Sequence, residues 1–210
     1  MRELVLASKS PRRRQLLKLT GHPFVCIPSN VDEGVVNGEP PDRYVTILSE
    51  LKAKDVGDRR ENGIIIGSDT IVVFDGKIFE KPVSPEEAVE MIMILQGQTH
   101  TVYTGFALYD AKTHNLFSGY EKTHVTMRGI SLDLARKYVE TEEPLDKAGA
   151  YGIQGYGAVL ISSIQGCYFT VMGLPLRRLM EALYTFSDGE FEYFVSIRNQ
   201  PDKSTAELDA

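Results

Sequence analysis

The chain has only two cysteines, Cys26 and Cys167, in 210 residues. Two are too few for a disulfide framework or for a structural zinc site made of thiolates alone, so reduced thiols in a cytoplasmic protein are expected. No apolar run reaches the roughly 18 residues that a membrane-spanning helix requires, and Leu4 to Ala7 is too short for the core of a secretion signal. Neither insertion nor secretion is expected. Positive charge is also in short supply: 23 Lys and Arg against 29 Asp and Glu give a formal charge of −6, so no broad attraction to nucleic acid or an anionic membrane is expected. An anionic ligand must instead meet a local cluster of bases. His22, His100, His114 and His124 show no metal-ligand spacing, and neither a Walker glycine loop nor a GxGxxG fingerprint occurs. These absences disfavour zinc hydrolase chemistry, a nucleotide switch of the common kind and dinucleotide binding.

With 42% hydrophobic residues, the chain can build a sizeable core. Leu4 to Ala7 suits a buried strand, and Ser10-Pro11 reads as the cap and first position of a helix that stops at Gly21. A strand over Phe24 to Ile27 and a loop over Asn30 to Pro41 follow. In the next segment Tyr44, Val45, Leu48, Leu51 and Lys52 recur at helical spacing to about Val56. Gly63 to Phe79 reads as an apolar strand, a polar interruption at Ser68-Asp69-Thr70 and a hairpin at Asp75-Gly76. A helix from Pro85 to Gly97, paired strands over Thr101 to Tyr109 and His114 to Met127, and a helix over Ser131 to Thr141 come next. Strands near Ala158 to Ile161 and over Tyr168 to Val171 precede a helix from Pro175 to about Phe186. This order predicts an α/β fold with a mixed sheet. From Asp188 onward the apolar pattern is lost; Phe191 to Ile197 can add a small packed element, and the last ten residues are expected to be disordered.

Ser8 to Arg14, SKSPRRR, is the strongest local signal. A helix start presents unpaired amides to an anion, Ser8 adds a hydroxyl, and Arg12 and Arg13 add fixed donors. Bases at this end oppose the helix dipole, so a solvated first turn explains them poorly. Asp69, read as following a buried strand, can hold a divalent metal or deprotonate a water, or can simply cap a loop. Thr70 can donate to a base or merely continue the strand. Lys54 and Lys81 supply compact charge at a ligand or at the surface, and Glu33 shares its loop with equally available carboxylates. In Glu143 to Gly155, EPLDKAGAYGIQG, Gly149, Gly152 and Gly155 permit close backbone approach, and the Gln154 amide can donate to and accept from a nucleobase. Asp146 and Lys147 bind there or pair with each other to shape the loop.

Taken together, LASKSPRRRQLL from Leu6, GSDTIVVFDGKIFEKP from Gly67 and EPLDKAGAYGIQG from Glu143 resemble the Maf family of nucleotide pyrophosphatases, supported by QGQTHTVYTG from Gln96 and VMGLPL from Val171. The similarity covers residues 1–186, leaving 187–210 as an extension. It implies a mixed twisted sheet with flanking helices, with two lobes around a deep cleft as in inosine triphosphate pyrophosphatases. The implied reaction cleaves nucleoside triphosphates between the α and β phosphates with Mg²⁺ or Mn²⁺. Asp69 corresponds to the catalytic aspartate, Ser8, Arg12, Arg13, Lys54 and Lys81 to phosphate-handling residues, and Glu33 to a cleft carboxylate sharing the metal with Asp69. Asp146 and Lys147 fall in the substrate loop. Thr70, Gln154 and Arg12 match the branch that acts on dTTP and UTP, with Ser68 departing from the usual alanine. A nucleotide partner, no nucleic acid or membrane, and a homodimer are the corresponding expectations. The alternatives are a non-catalytic nucleotide-binding regulator of cell division and an inosine or xanthosine triphosphate pyrophosphatase.

Overall fold

In the computed structural model, residues 2–32, 36 and 38–193 are described. They build one seven-stranded mixed sheet. Strand β1, Leu4–Leu6, is wholly apolar and buried, and runs parallel to both β2, Phe24–Cys26, and β3, Ile64–Phe74. Strand β4, Lys77–Phe79, folds back on the end of β3. Strands β5, Thr99–Asp110, β6, Leu116–Met127, and β7, Ile161–Gln165, complete the antiparallel half.

Among the described residues, six α-helices flank the sheet. Helix α1, Pro11–Lys18, begins at the Ser10 cap, and α2, Pro41–Gly57, carries the longest buried stripe. The others are α3, Pro85–Leu95, α4, Leu132–Val139, α5, Tyr168–Met172, and α6, Leu176–Phe186. Side chains alternate across a strand, and β3 shows the result. Ile64 and Ile66 enter the core made with Leu16, Leu17, Leu179 and Leu183, whereas Ile65 enters the core made with Ala53 and Val56 of α2.

Helix α2 lies almost on the backbone of the sheet because three glycines give it room. A Cβ at Gly67 would stand 2.0 Å from the Ser49 carbonyl oxygen, one at Gly105 would stand 2.3 Å from that of Val45, and one at Gly57 would meet the Tyr109 ring. These approaches set how far any α2 side chain reaches.

The structure corrects three sequence readings. Ser68-Asp69-Thr70 does not interrupt the strand; β3 continues through it, paired with β5 from Ile64 to Val73. The Ala158 to Ile161 segment is mostly a 3₁₀ turn over Gly155–Leu160, with β7 beginning only at Ile161. Tyr168 to Val171 is helical: Tyr168, Phe169 and Met172 join one core while Val171 joins another, a helical spacing that strand alternation cannot supply. Gly173, with φ of 105°, ends α5, its N–H donating a hydrogen bond to the Phe169 carbonyl.

Past α6 the chain turns back against the start of the sheet. Phe191 is fully buried in the core of β1 and α6. The Glu192 carbonyl lies 2.8 Å from His22 Nε2, and Arg2 pairs with both Glu190 and Asp110. The expected packed element is therefore present at its start, while 194–197 and the last ten residues lie outside the described residues. No helix among the described residues is long and apolar enough to cross a membrane.

Candidate active site

One edge of β3 is shared. Beside Ile64–Ile66 it pairs with β1, and beside Val72–Phe74 it pairs with β4. Between them, Gly67 to Ile71 has neither neighbour, and this gap opens into a cleft of ≈ 550 Å³ whose wall includes Asp69, Thr70 and Ile71. Asp69 shares a face with Gly67 and Gly105, so α2 is close there and Lys52 Nζ reaches Asp69 Oδ1 at 2.7 Å. Both residues are buried. Ser68 and Thr70 point to the opposite face. Ser68 Oγ lies 2.8 Å from the Gly105 carbonyl and 3.1 Å from that of Gly173, so its hydroxyl is paired and the departure from alanine leaves Asp69 in place.

Helix α1 forms the second wall. Ser10 Oγ caps the helix on the Arg13 amide, and Lys9, Ser10, Arg12 and Arg13 line the cleft. Arg13 is held in position: Nε donates to the Gly173 carbonyl at 2.9 Å and a terminal nitrogen donates to Thr70 Oγ1 at 3.1 Å. Thr70 continues a hydroxyl chain to Thr104 and the Thr170 carbonyl. Arg12 crosses to Asp146, which also pairs with Lys147 at 2.8 Å. Burial works against ionisation of Asp146, but hydrogen bonds from Lys147 and the charges of Arg12 and Lys147 outweigh it and hold the carboxyl below its ordinary range. Asp146 thus ties the two banks together as well as pairing with its neighbour.

Among the described residues, Lys9, Arg12, Arg13, Lys52, Lys81 and Lys147 line the cleft, against Asp69, Glu80 and Asp146 as acids. A chain of net charge −6 therefore carries a local excess of base in its cleft, as an anion site requires. The remaining wall includes Leu48, Ile71, Val102, Tyr151 and Ile153. Gln154 borders it from the glycine loop, and Tyr151, not the exposed Tyr156, belongs to the wall. Tyr151 is fixed from behind by His100, whose Nε2 lies 2.6 Å from the phenol oxygen. Burial lowers the His100 pKa to about 4 and raises that of Tyr151 above the ordinary phenol value.

The structure brings Asp69, Arg12, Arg13, Thr70, Lys81, Asp146, Lys147 and Gln154 to one cleft. Ser8 stands just behind the wall, its Oγ accepting the Ser10 amide at 3.1 Å. Lys54 is placed outside the cleft: two residues on from Lys52, it projects from another side of α2. Glu33 lies outside the described residues. Lys52, Lys9, Glu80 and Tyr44 also line the cleft, although the sequence reading assigns none of them a role there. For Lys52 there was a signal, because it continues the apolar stripe through Tyr44 and Leu48, and a cation on a buried stripe requires an acid opposite. Among the described residues no three His, Cys, Asp or Glu side chains gather as a metal-binding group.

A family model for Maf-like protein matches residues 3–186, which include both walls of the cleft. A dTTP/UTP pyrophosphatase of Moorella thermoacetica is 47% identical over 186 residues, covering 89% of this chain and 96% of that protein. A dTTP/UTP pyrophosphatase of Pelotomaculum thermopropionicum is 45% identical, with 89% and 97% covered. One from Bacillus cytotoxicus is 43% identical over 189 residues, with 90% and 98% covered. With the family model spanning nearly all of residues 1–186 and these relatives alike over almost their whole length, the chain belongs to the Maf family.

Proposed function

We propose that this protein hydrolyses nucleoside triphosphates, dTTP and UTP foremost, between the α and β phosphates, releasing the monophosphate and pyrophosphate. The observation that carries the reading is the buried Lys52–Asp69 pair at the gap in β3, in one cleft with the bases at the start of α1. Asp69 orients the attacking water, or accepts its proton, through the oxygen that Lys52 leaves open, and Lys52 fixes the carboxylate. Arg12, Arg13, Lys9 and Lys81 neutralise the phosphates and the charge gathering on the departing pyrophosphate. Arg13, already tied to Gly173 and Thr70, supplies its charge with little reorganisation.

A divalent cation suits this wall. Mg²⁺ commonly takes one or two carboxylates and completes its shell with phosphate oxygens and water, and Asp69 Oδ2 has no partner among the described residues. Asp69, with Glu33 as second carboxylate, would hold Mg²⁺ or Mn²⁺, which lends Lewis-acid polarisation to the phosphoryl oxygens.

The base preference rests on the Gln154 amide. Thymine and uracil present an acceptor beside the N3 donor, and cytosine replaces that acceptor with a donor. The relatives' identity as dTTP/UTP pyrophosphatases agrees with this choice. On this reading the protein works in the cytoplasm, where its nucleotide substrates are. A panel of dTTP, UTP, CTP, ATP and GTP tests the reading: the first two should lead in kcat/KM by about a hundredfold over the purines. Equal efficiency across the five would show that the cleft reads triphosphate alone.

A further inference from the structure

We infer that Glu143 is a positioning residue for base selection: its carboxylate is the anchor on which the loop carrying Gln154 is folded. The inference rests on the base-reading role given to Gln154 above. Glu143 stands eleven residues away in sequence, yet its two carboxylate oxygens accept the Tyr156 amide at 2.7 Å, the Gly157 amide at 3.0 Å and the Tyr138 hydroxyl at 2.9 Å. The Tyr138 oxygen in turn accepts the Gly152 amide at 3.0 Å. The carboxylate therefore gathers, directly or through one phenol, backbone donors on both sides of Gln154.

The glycines fit this anchor. A Cβ at Gly155 would lie 2.2 Å from Glu143 Oε2, and one at Gly152 would lie 3.2 Å from Oε1. A Cβ at Gly157 would meet the Gly152 carbonyl at 2.3 Å and the Tyr138 hydroxyl at 2.5 Å. Gly155 also has φ of +67°, which a side chain disfavours. The spacing of the glycines thus serves the approach of the loop to its own carboxylate as well as to a ligand. Three donors to one carboxylate make charge-assisted, directional bonds, and a neutral amide in its place can satisfy only part of the set.

The test compares Glu143→Gln, Tyr138→Phe and Gln154→Ala with the wild type. In Glu143→Gln, the kcat/KM preference for UTP over CTP should fall about tenfold, mainly through KM for UTP, with kcat changed by less than about threefold. Combining it with Gln154→Ala should add no further loss of selectivity. Exchange of the Tyr156 and Gly157 amides, followed by NMR, should quicken about tenfold in Glu143→Gln. Should that variant not fold, Tyr138→Phe, which removes one contact, should show the same shift in selectivity at about threefold. A wild-type ratio in Glu143→Gln beside a lost ratio in Gln154→Ala overturns the inference and leaves the base reading intact. Unchanged selectivity in Gln154→Ala overturns both. Unchanged amide exchange, or a fall in kcat alone, overturns the anchoring role whatever the nucleotide preference.

Discussion

Lys52 Nζ lies 2.7 Å from Asp69 Oδ1, and both side chains are more than nine-tenths buried although they line an open cleft. The pair couples the longest helix to the one stretch of β3 that has lost its edge partner. Removing Lys52 strands the buried Asp69 carboxylate, at about 3–5 kcal/mol for a buried pair. Lys52→Met should therefore lower stability and also cut kcat about a hundredfold, through misplacement of the carboxylate. The double variant Lys52→Met with Asp69→Asn should recover much of the stability while turnover stays lost. Thermal denaturation read beside turnover separates the two effects; recovery of activity in the double variant would show that the pair only holds the fold.

Gly67→Ala tests how the pair comes to be so close. Its new Cβ would press on the Ser49 carbonyl at 2.0 Å, a backbone atom that yields only if α2 shifts. Overpacking of this kind costs about 1–3 kcal/mol, and here it should also lower kcat by drawing Lys52 away from Asp69. A stable variant with normal kcat would mean that the helix position does not set the site.

Much of this arrangement was legible in the sequence. Ser10-Pro11 predicted the start of α1, Asp75-Gly76 the hairpin, and the spacing of Tyr44, Leu48 and Lys52 the buried side of α2. The motifs also placed most of the cleft residues in one family. What failed were features decided by contacts remote in sequence. Polar Ser68, Asp69 and Thr70 looked like a break, but pairing with β5 carries the strand through them. Tyr168 to Val171 has strand-like composition, yet packing against two separate cores and the left-handed Gly173 make it a helix. Lys54 and Lys52 cannot be ranked by residue type; only their positions around α2 separate them.

The start of the C-terminal extension should contribute to stability although the family match ends at residue 186. Phe191 is fully buried against β1 and α6, and its ring meets His22 edge-on at 5.3 Å between centroids. Phe191→Ala should cost about 3–5 kcal/mol by leaving a cavity, with KM for dTTP unchanged because the residue does not line the cleft. Urea denaturation and steady-state kinetics check the two halves; an unchanged midpoint would make the extension dispensable.

Acid sensitivity should trace in part to His100. Burial lowers its folded pKa from 6.5 to about 4, so the neutral ring is favoured by folding. The contribution is complete above pH 6.5 and is lost as pH falls toward 4, amounting to about 3 kcal/mol over that window. His100→Gln should flatten the loss of stability between pH 7 and pH 4.5, measured by urea denaturation at the two values, as about 2–3 kcal/mol less change than in the wild type. An unaltered pH slope would place the acid sensitivity elsewhere.

The most direct test of the central claim is the identity of the products when the protein meets dTTP and Mg²⁺, followed by ³¹P NMR. The Lys52–Asp69 cleft predicts dTMP and pyrophosphate, formed by the wild type and slowed by at least about a hundredfold in folded Asp69→Asn. Formation of dTDP and inorganic phosphate, or saturable binding of dTTP that stays intact after long incubation with the metal, would contradict it.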